Sequence, residues 1–296
     1  MITNILVVLT ISGILALFGV GPRLDAYGID YPYLITFCLV WGMGGAFISL
    51  LLSRKMAKWL MGVKIINSPI ADPTLLKLVT TVETLSRQAG LTTAPQVGIY
   101  DSPEVNAFAT GPTKNRSLIA VSTGLLAQMD SDSIEGVLGH EIAHIANGDM
   151  VTMTLLQGLV NAFVMFAARV IALAINASLR SGRNRGGLGR IGYILTVIVL
   201  EMAFMIVGSM VIARFSRWRE FRADSGGAQL AGQDKMISAL QTLQSMKEIN
   251  AAPGAQTAAA FANMKISSNR NPLIKLLSTH PSLEERIARL EGSNLK

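Results

Sequence analysis

Charge is scarce in this chain. Only 15% of its 296 residues are charged, well below the roughly 25% of an average soluble domain. Half of the residues are hydrophobic and the mean hydropathy is +0.43, so there is ample apolar surface to bury and intrinsic disorder is excluded. Cysteine is nearly absent. Cys38 stands alone, which excludes a disulfide framework. No internal repeat is visible. An aromatic-interleaved basic face is missing too, so the net charge of +7 predicts no nucleic-acid partner. Arginines and lysines collect instead at the ends of apolar blocks, as they do at the edges of a membrane.

There are four such blocks: Met1 to Pro22, Tyr31 to Ser53, Met150 to Leu179 and Ile191 to Ala213. Each supplies the roughly 20 helical residues that cross a hydrocarbon core of about 30 Å. The first has no basic n-region and no clear cleavage site, so it reads as an anchor that forms a hairpin with the second. The third and fourth each carry one ionisable residue, Arg169 and Glu201. Both lie about ten residues from the intervening loop, hence at similar depth in an antiparallel hairpin. An unpaired charge there costs about 2.5–3.5 kcal/mol, so the two are predicted to pair.

The blocks divide the chain into a transmembrane hairpin (1–53), the first part of a soluble domain (54–149), a hydrophobic hairpin of two membrane helices (150–213) and the second part of the domain (214–296). Basic residues beside the soluble pieces (Arg54, Lys55, Lys58, Lys64, Arg214, Arg217, Arg219 and Arg222) outnumber those in the opposite loops (Arg23, Arg180, Arg183, Arg185 and Arg190). The positive-inside rule then puts the soluble domain in the cytoplasm. Within it, Asp72-Pro73 and Gly90 bracket an amphipathic helix with Leu75, Leu76, Val79, Val82 and Leu85 at helical spacing. Residues 96–100, 105–109 and 117–122 read as strands. A helix is predicted to start at Asp132, with Glu135 completing a capping box, and another to run from Trp218 to Met246. Ala251 to Pro272 reads as a loop, and Leu283 to Leu290 as a short terminal helix.

The helix from Asp132 carries His140-Glu141-Ile142-Ala143-His144. Imidazoles at i and i+4 lie one turn apart on one face and can reach a single metal ion. Glu141 stands beside them, placed to take a proton from water held there. The alternative, two surface histidines, conflicts with the apolar neighbours Ile134, Val137, Leu138, Ile142 and Ile145. A hydrolytic zinc site needs a third protein ligand and an open position. His280 is the one remaining histidine and Cys38 sits in an apolar block, so a carboxylate is expected. Glu220 and Asp224 share one helix face, with Glu220 assigned to the metal and Asp224 to a ligand histidine. His280 could donate to an oxyanion, or else cap a helix or pack in the core.

His140-Glu141-Ile142-Ala143-His144 followed by Glu220-Phe221-Arg222-Ala223-Asp224 resembles the gluzincin pattern of the M48 metallopeptidases, and the resemblance covers most of the chain. It implies a mainly α (α+β) fold: multi-pass membrane helices with a zincin-like metalloprotease domain carrying a small β-sheet. It further implies one Zn2+ per chain and a zinc endopeptidase of the bacterial inner membrane with a cytosolic active site. Its substrates would be unfolded or misfolded membrane proteins, in contact with membrane lipid, and self-cleavage is expected. Asn106-Ala107-Phe108-Ala109 is similar to the family's substrate-binding edge strand. His280-Pro281 with Arg286 is similar to its H-P-x-x-x-x-R element. A different class of function remains, a non-proteolytic membrane scaffold or chaperone whose structural zinc takes His280 as fourth ligand. A transporter with Arg169 and Glu201 in its pathway leaves the histidine motif unexplained, and a zinc hydrolase acting on non-peptide bonds would use the same ligands.

Overall fold

The computed structural model describes residues 31–67, 69–181, 187–251 and 278–292. The apolar run Met1 to Pro22, the loop after it, most of Ala251 to Pro272 and the centre of Ser181 to Arg190 lie outside the described residues. The chain divides into two compact units, one containing Thr154–Ile212 with residues up to Ser49, the other containing Leu50–Met153 with residues from Ala213 onward.

The first unit is helical. It holds most of α1 (Tyr31–Leu60), most of α5 (Asp149–Ser181) and the first half of α6 (Gly189–Ala231). All three helices are long and apolar enough to cross a membrane. Small residues let them approach closely: a Cβ on Gly42 would lie 2.5 Å from the Ala162 backbone nitrogen, and one on Gly208 would lie 2.6 Å from Val160 Cγ1. Where no water drives apolar faces together, such close packing and interhelical polar contacts hold helices to each other. The expected ion pair forms, with Arg169 Nη1 donating to Glu201 Oε1 at 2.6 Å and to the Met165 carbonyl at 2.9 Å.

The second unit is built on a four-stranded sheet of β1 (Lys64–Ile65), β2 (Gln96–Tyr100), β3 (Ala107–Thr113) and β4 (Arg116–Ser122), in the order β1-β2-β4-β3. β4 is parallel to β2 and antiparallel to β3. It reads as a continuous apolar run because both of its faces are covered. Ile119 and Val121 meet α2 (Pro73–Gln88) and α4 (Ser131–Asn147), while Leu118 and Ala120 meet Ala57, Val63 and Tyr100. A short α3 (Thr123–Gln128) follows β4, α7 (Gln233–Ala251) follows α6, and α8 (Leu283–Glu291) lies near the C-terminus.

Several predicted boundaries shift. Asp72 caps α2 as expected, but its buried positions are Leu78, Val82, Leu85 and Ser86, and Leu76 is half-exposed. The stripe is set by where α4 and the sheet touch α2, which hydropathy alone does not locate. The strand expected over 105–109 starts at Ala107 and continues through Gly111 and Pro112, because hairpin pairing with β4 carries it past the proline with a register shift between Thr110 and Thr113. α4 is capped by Asp130, whose carboxylate accepts from Ser133 N at 2.8 Å; Asp132 is in the first turn instead. The helix expected from Trp218 to Met246 is two helices that break at Gly232, where φ is +105°.

Candidate metal centre

α4 and the second half of α6 build the centre. Both helices carry small residues where they meet. A Cβ on Gly227 of α6 would lie 2.9 Å from the His140 backbone nitrogen, and one on Gly226 would lie 2.8 Å from Ala143 Cβ. That approach brings the buried carboxylates Glu220 and Asp224 to the two histidines of α4.

His140 Nε2 and His144 Nε2 are 3.1 Å apart, and Glu220 reaches the first at 3.6 Å through Oε2 and the second at 3.4 Å through Oε1. A tetrahedral ion with bonds of about 2.0–2.2 Å to nitrogen and oxygen keeps its ligands roughly 3.3–3.6 Å apart. The carboxylate oxygens stand from the nitrogens at the spacing one ion imposes, and the two nitrogens lie slightly closer together than that. All three residues are buried.

The ring nitrogens facing away are also engaged. His140 Nδ1 lies 3.0 Å from Asp224 Oδ1, and His144 Nδ1 lies 2.7 Å from Asp149 Oδ2. Sequence reasoning assigned Asp224 to this position and missed Asp149. Gly148, in the left-handed conformation at φ +72°, ends α4 and turns the chain so that the next residue faces back to the helix. The available signal was an aspartate directly after the glycine stop. Asp224 in turn accepts two bonds from Arg286, Nε to Oδ2 at 2.8 Å and Nη2 to Oδ1 at 2.5 Å. Arg286 is buried, so the H-P-x-x-x-x-R element reaches the centre through this arginine.

Burial by itself would lower the His140 pKa, but the Asp224 and Glu220 carboxylates outweigh it and raise the value to about 9. Burial opposes the charged form of Glu220, yet the three histidines around it hold its carboxyl far below the usual range. Asp224 is likewise depressed, with burial outweighed by Arg286 and then His140. Buried carboxylates that stay ionised around two imidazoles form a donor set suited to a divalent cation.

Glu141 sits partly buried on α4 between the two histidines in sequence. His280 approaches from the segment before α8, with Nδ1 3.0 Å from Glu220 Oε2 and 64% of its side chain exposed. Asn106 directly precedes β3, and Ala107, Phe108 and Ala109 open it. β3 lies at the edge of the sheet among the described residues and packs against α4. Ser122 N donates to the Asn106 carbonyl at 3.0 Å, and the register pairs Ala107 with Val121 and Ala109 with Ile119. In an antiparallel ladder the bonded pairs alternate, so Asn106 and Phe108 face β4. The backbone N–H and C=O groups of Ala107 and Ala109 point to the outer edge.

The family model described as peptidase family M48 matches residues 75–294. The chain belongs to peptidase family M48. A "Protease HtpX homolog" of Bacillus licheniformis is 49% identical over 99% of this chain and 97% of its own length. A "Protease HtpX" of Shewanella oneidensis is 48% identical over 98% and 97%. The crystal structure of S. mikatae Ste24p matches with a TM-score of 0.56 at 19% identity, covering 98% of this chain, which spans 65% of that one. That likeness is one of fold. Together with the apolar helices, membership in the M48 family makes this chain a membrane metalloprotease.

Proposed function

We propose that the chain is a zinc-dependent endopeptidase in which His140, His144 and Glu220 hold one Zn2+. The observation that carries this reading is the convergence of their three donor atoms within 4.8 Å of one another. Zinc, when bound, supplies Lewis-acid chemistry that polarises a scissile carbonyl and brings the pKa of water to about 7. Glu141 takes the proton of the attacking water and returns it to the leaving amine. His280, exposed beside Glu220, donates to the oxyanion of the tetrahedral intermediate, a contribution of about 2.7–4 kcal/mol for one such donor. Asp224 and Asp149 orient His140 and His144 by accepting from their Nδ1–H groups, and Arg286 keeps Asp224 ionised.

An extended substrate adds to β3, bonding the outward backbone groups of Ala107 and Ala109. Main-chain pairing of this kind tolerates many sequences. That tolerance fits a role in quality control, removing unfolded or misfolded membrane proteins at the lipid surface. It also implies self-cleavage. The basic residues beside the soluble pieces support an inner-membrane, multi-pass placement with the site facing the cytoplasm.

The test is cleavage of casein by detergent-purified protein, metal-free and zinc-loaded, beside Glu141→Gln. Zinc restores cleavage in the parent. Glu141→Gln keeps its zinc, cuts nothing and stays full-length on storage; fragmentation at the parental rate would remove self-cleavage. A second reading has one observation in its favour. His280 lies 3.0 Å from Glu220 Oε2, close enough to close a structural zinc site in a scaffold or chaperone. Stoichiometric zinc with no cleavage in any condition would support it.

A further inference from the structure

Arg217, Glu220 and Asp224 stand at i, i+3 and i+7 on α6, so they line one face of it. Each meets the short segment from Ser278 to Arg286. Asp224 receives Arg286, and Glu220 lies against His280. Arg217 Nη1 donates to the Ser278 carbonyl at 2.6 Å. Ser278 Oγ then donates to the His280 carbonyl at 2.8 Å, which ties His280 to the clamped residue. His280 belongs to no helix or strand and is mostly exposed. Neither packing nor regular structure holds its ring.

We propose that Arg217 is a positioning residue, which holds His280 beside the metal centre by clamping the Ser278 carbonyl. The segment is then fixed at both ends. At one end is Arg217, and at the other are the Arg286–Asp224 pair and the Ser282 cap of α8, whose Oγ accepts from Glu285 N at 3.2 Å. Between them, Pro281 removes one backbone freedom from the residue after His280. Without Arg217 the described segment loses its tie at Ser278, and the His280 ring moves away from Glu220. A displacement of about 1 Å in a positioned group costs up to about 100-fold in rate. The catalytic consequence rests on the oxyanion role given to His280.

The test uses the full-length, zinc-loaded protein in detergent with a peptide substrate. Arg217→Met lowers kcat about 10- to 100-fold while KM stays within about twofold, and bound zinc stays at the parental level. Arg217→Lys, which keeps a donor, recovers part of the loss. In Arg217→Met/His280→Ala the loss is no greater than in His280→Ala alone, because both changes remove one function. Losses that multiply, or a higher KM with unchanged kcat, overturn the proposal. Backbone amide exchange provides an arm independent of catalysis. Faster exchange at residues 278–282 with α4 unchanged supports the clamp, and unchanged exchange at 278–282 overturns it. A parent that fails to cleave at all counts against the protease reading, and the exchange arm still decides Arg217.

Discussion

Each histidine of the centre commits its Nδ1 to a carboxylate, His140 to Asp224 and His144 to Asp149, and both Nε2 atoms are left facing Glu220. Asp149→Asn should weaken zinc binding about 10- to 100-fold, measured by competition with a chelating indicator; parental affinity would show that this carboxylate does no orienting. The Asp224 pair carries a pH dependence. Its carboxyl is depressed when folded, so its contribution to stability is present above the unfolded value of about 3.9 and is lost as pH falls through the lower folded value. Arg286→Met leaves that buried carboxylate with His140 as its remaining partner, at a cost of up to about 3–5 kcal/mol near neutral pH. The cost should shrink as acid protonates Asp224, so thermal melts of parent and variant, both metal-free, converge toward low pH. A gap that stays constant with pH would refute the pairing. The convergence of His140 and His144 was legible because imidazoles at i and i+4 on a helix share one face. Asp149 was not, because its contact depends on a left-handed turn at Gly148 whose direction no spacing rule gives.

Among the elements, the crossing of α4 and α6 sets the distances of the centre. Gly227→Ala would drive a methyl group against the His140 backbone, so it should cost about 1–3 kcal/mol and lower zinc affinity as well. Gly45→Ala, in a helix position where nothing lies within 4 Å, should leave zinc affinity unchanged and lose no stability, since alanine favours a helix over glycine by about 1 kcal/mol; equal behaviour of the two variants in melting and zinc titration would sink this account. The close approach was hidden in the sequence, since Ser225-Gly226-Gly227-Ala228 looks like a weak point in a helix until its partner is known. Other elements could be read directly. Asp72-Pro73 and Gly90 bracketed α2, and β2 runs over the predicted residues 96–100. The two-residue β1 left no periodic signal to read. α6 passes the end of its apolar block without a break because no residue stops a helix before Gly232.

For the whole molecule, the decisive property is that the second unit is assembled from two stretches of chain with the apolar helices of Thr154–Ile212 between them. Hydropathy made this interruption visible, because the histidine pair and its carboxylate fall on opposite sides of two apolar blocks. A chain ending at Ala213 keeps His140 and His144 but lacks Glu220, Asp224 and Arg286. It should bind no stoichiometric zinc at concentrations that saturate the parent, as read by metal analysis after gel filtration; full zinc in this fragment would mean that Glu220 is dispensable. The same division orders events at the ribosome. His140 and His144 leave the exit tunnel long before Glu220 is translated, and Arg286 follows later still. A nascent chain therefore carries half a centre while the apolar helices between its two halves are still being made, and no centre can close until both halves have left the ribosome.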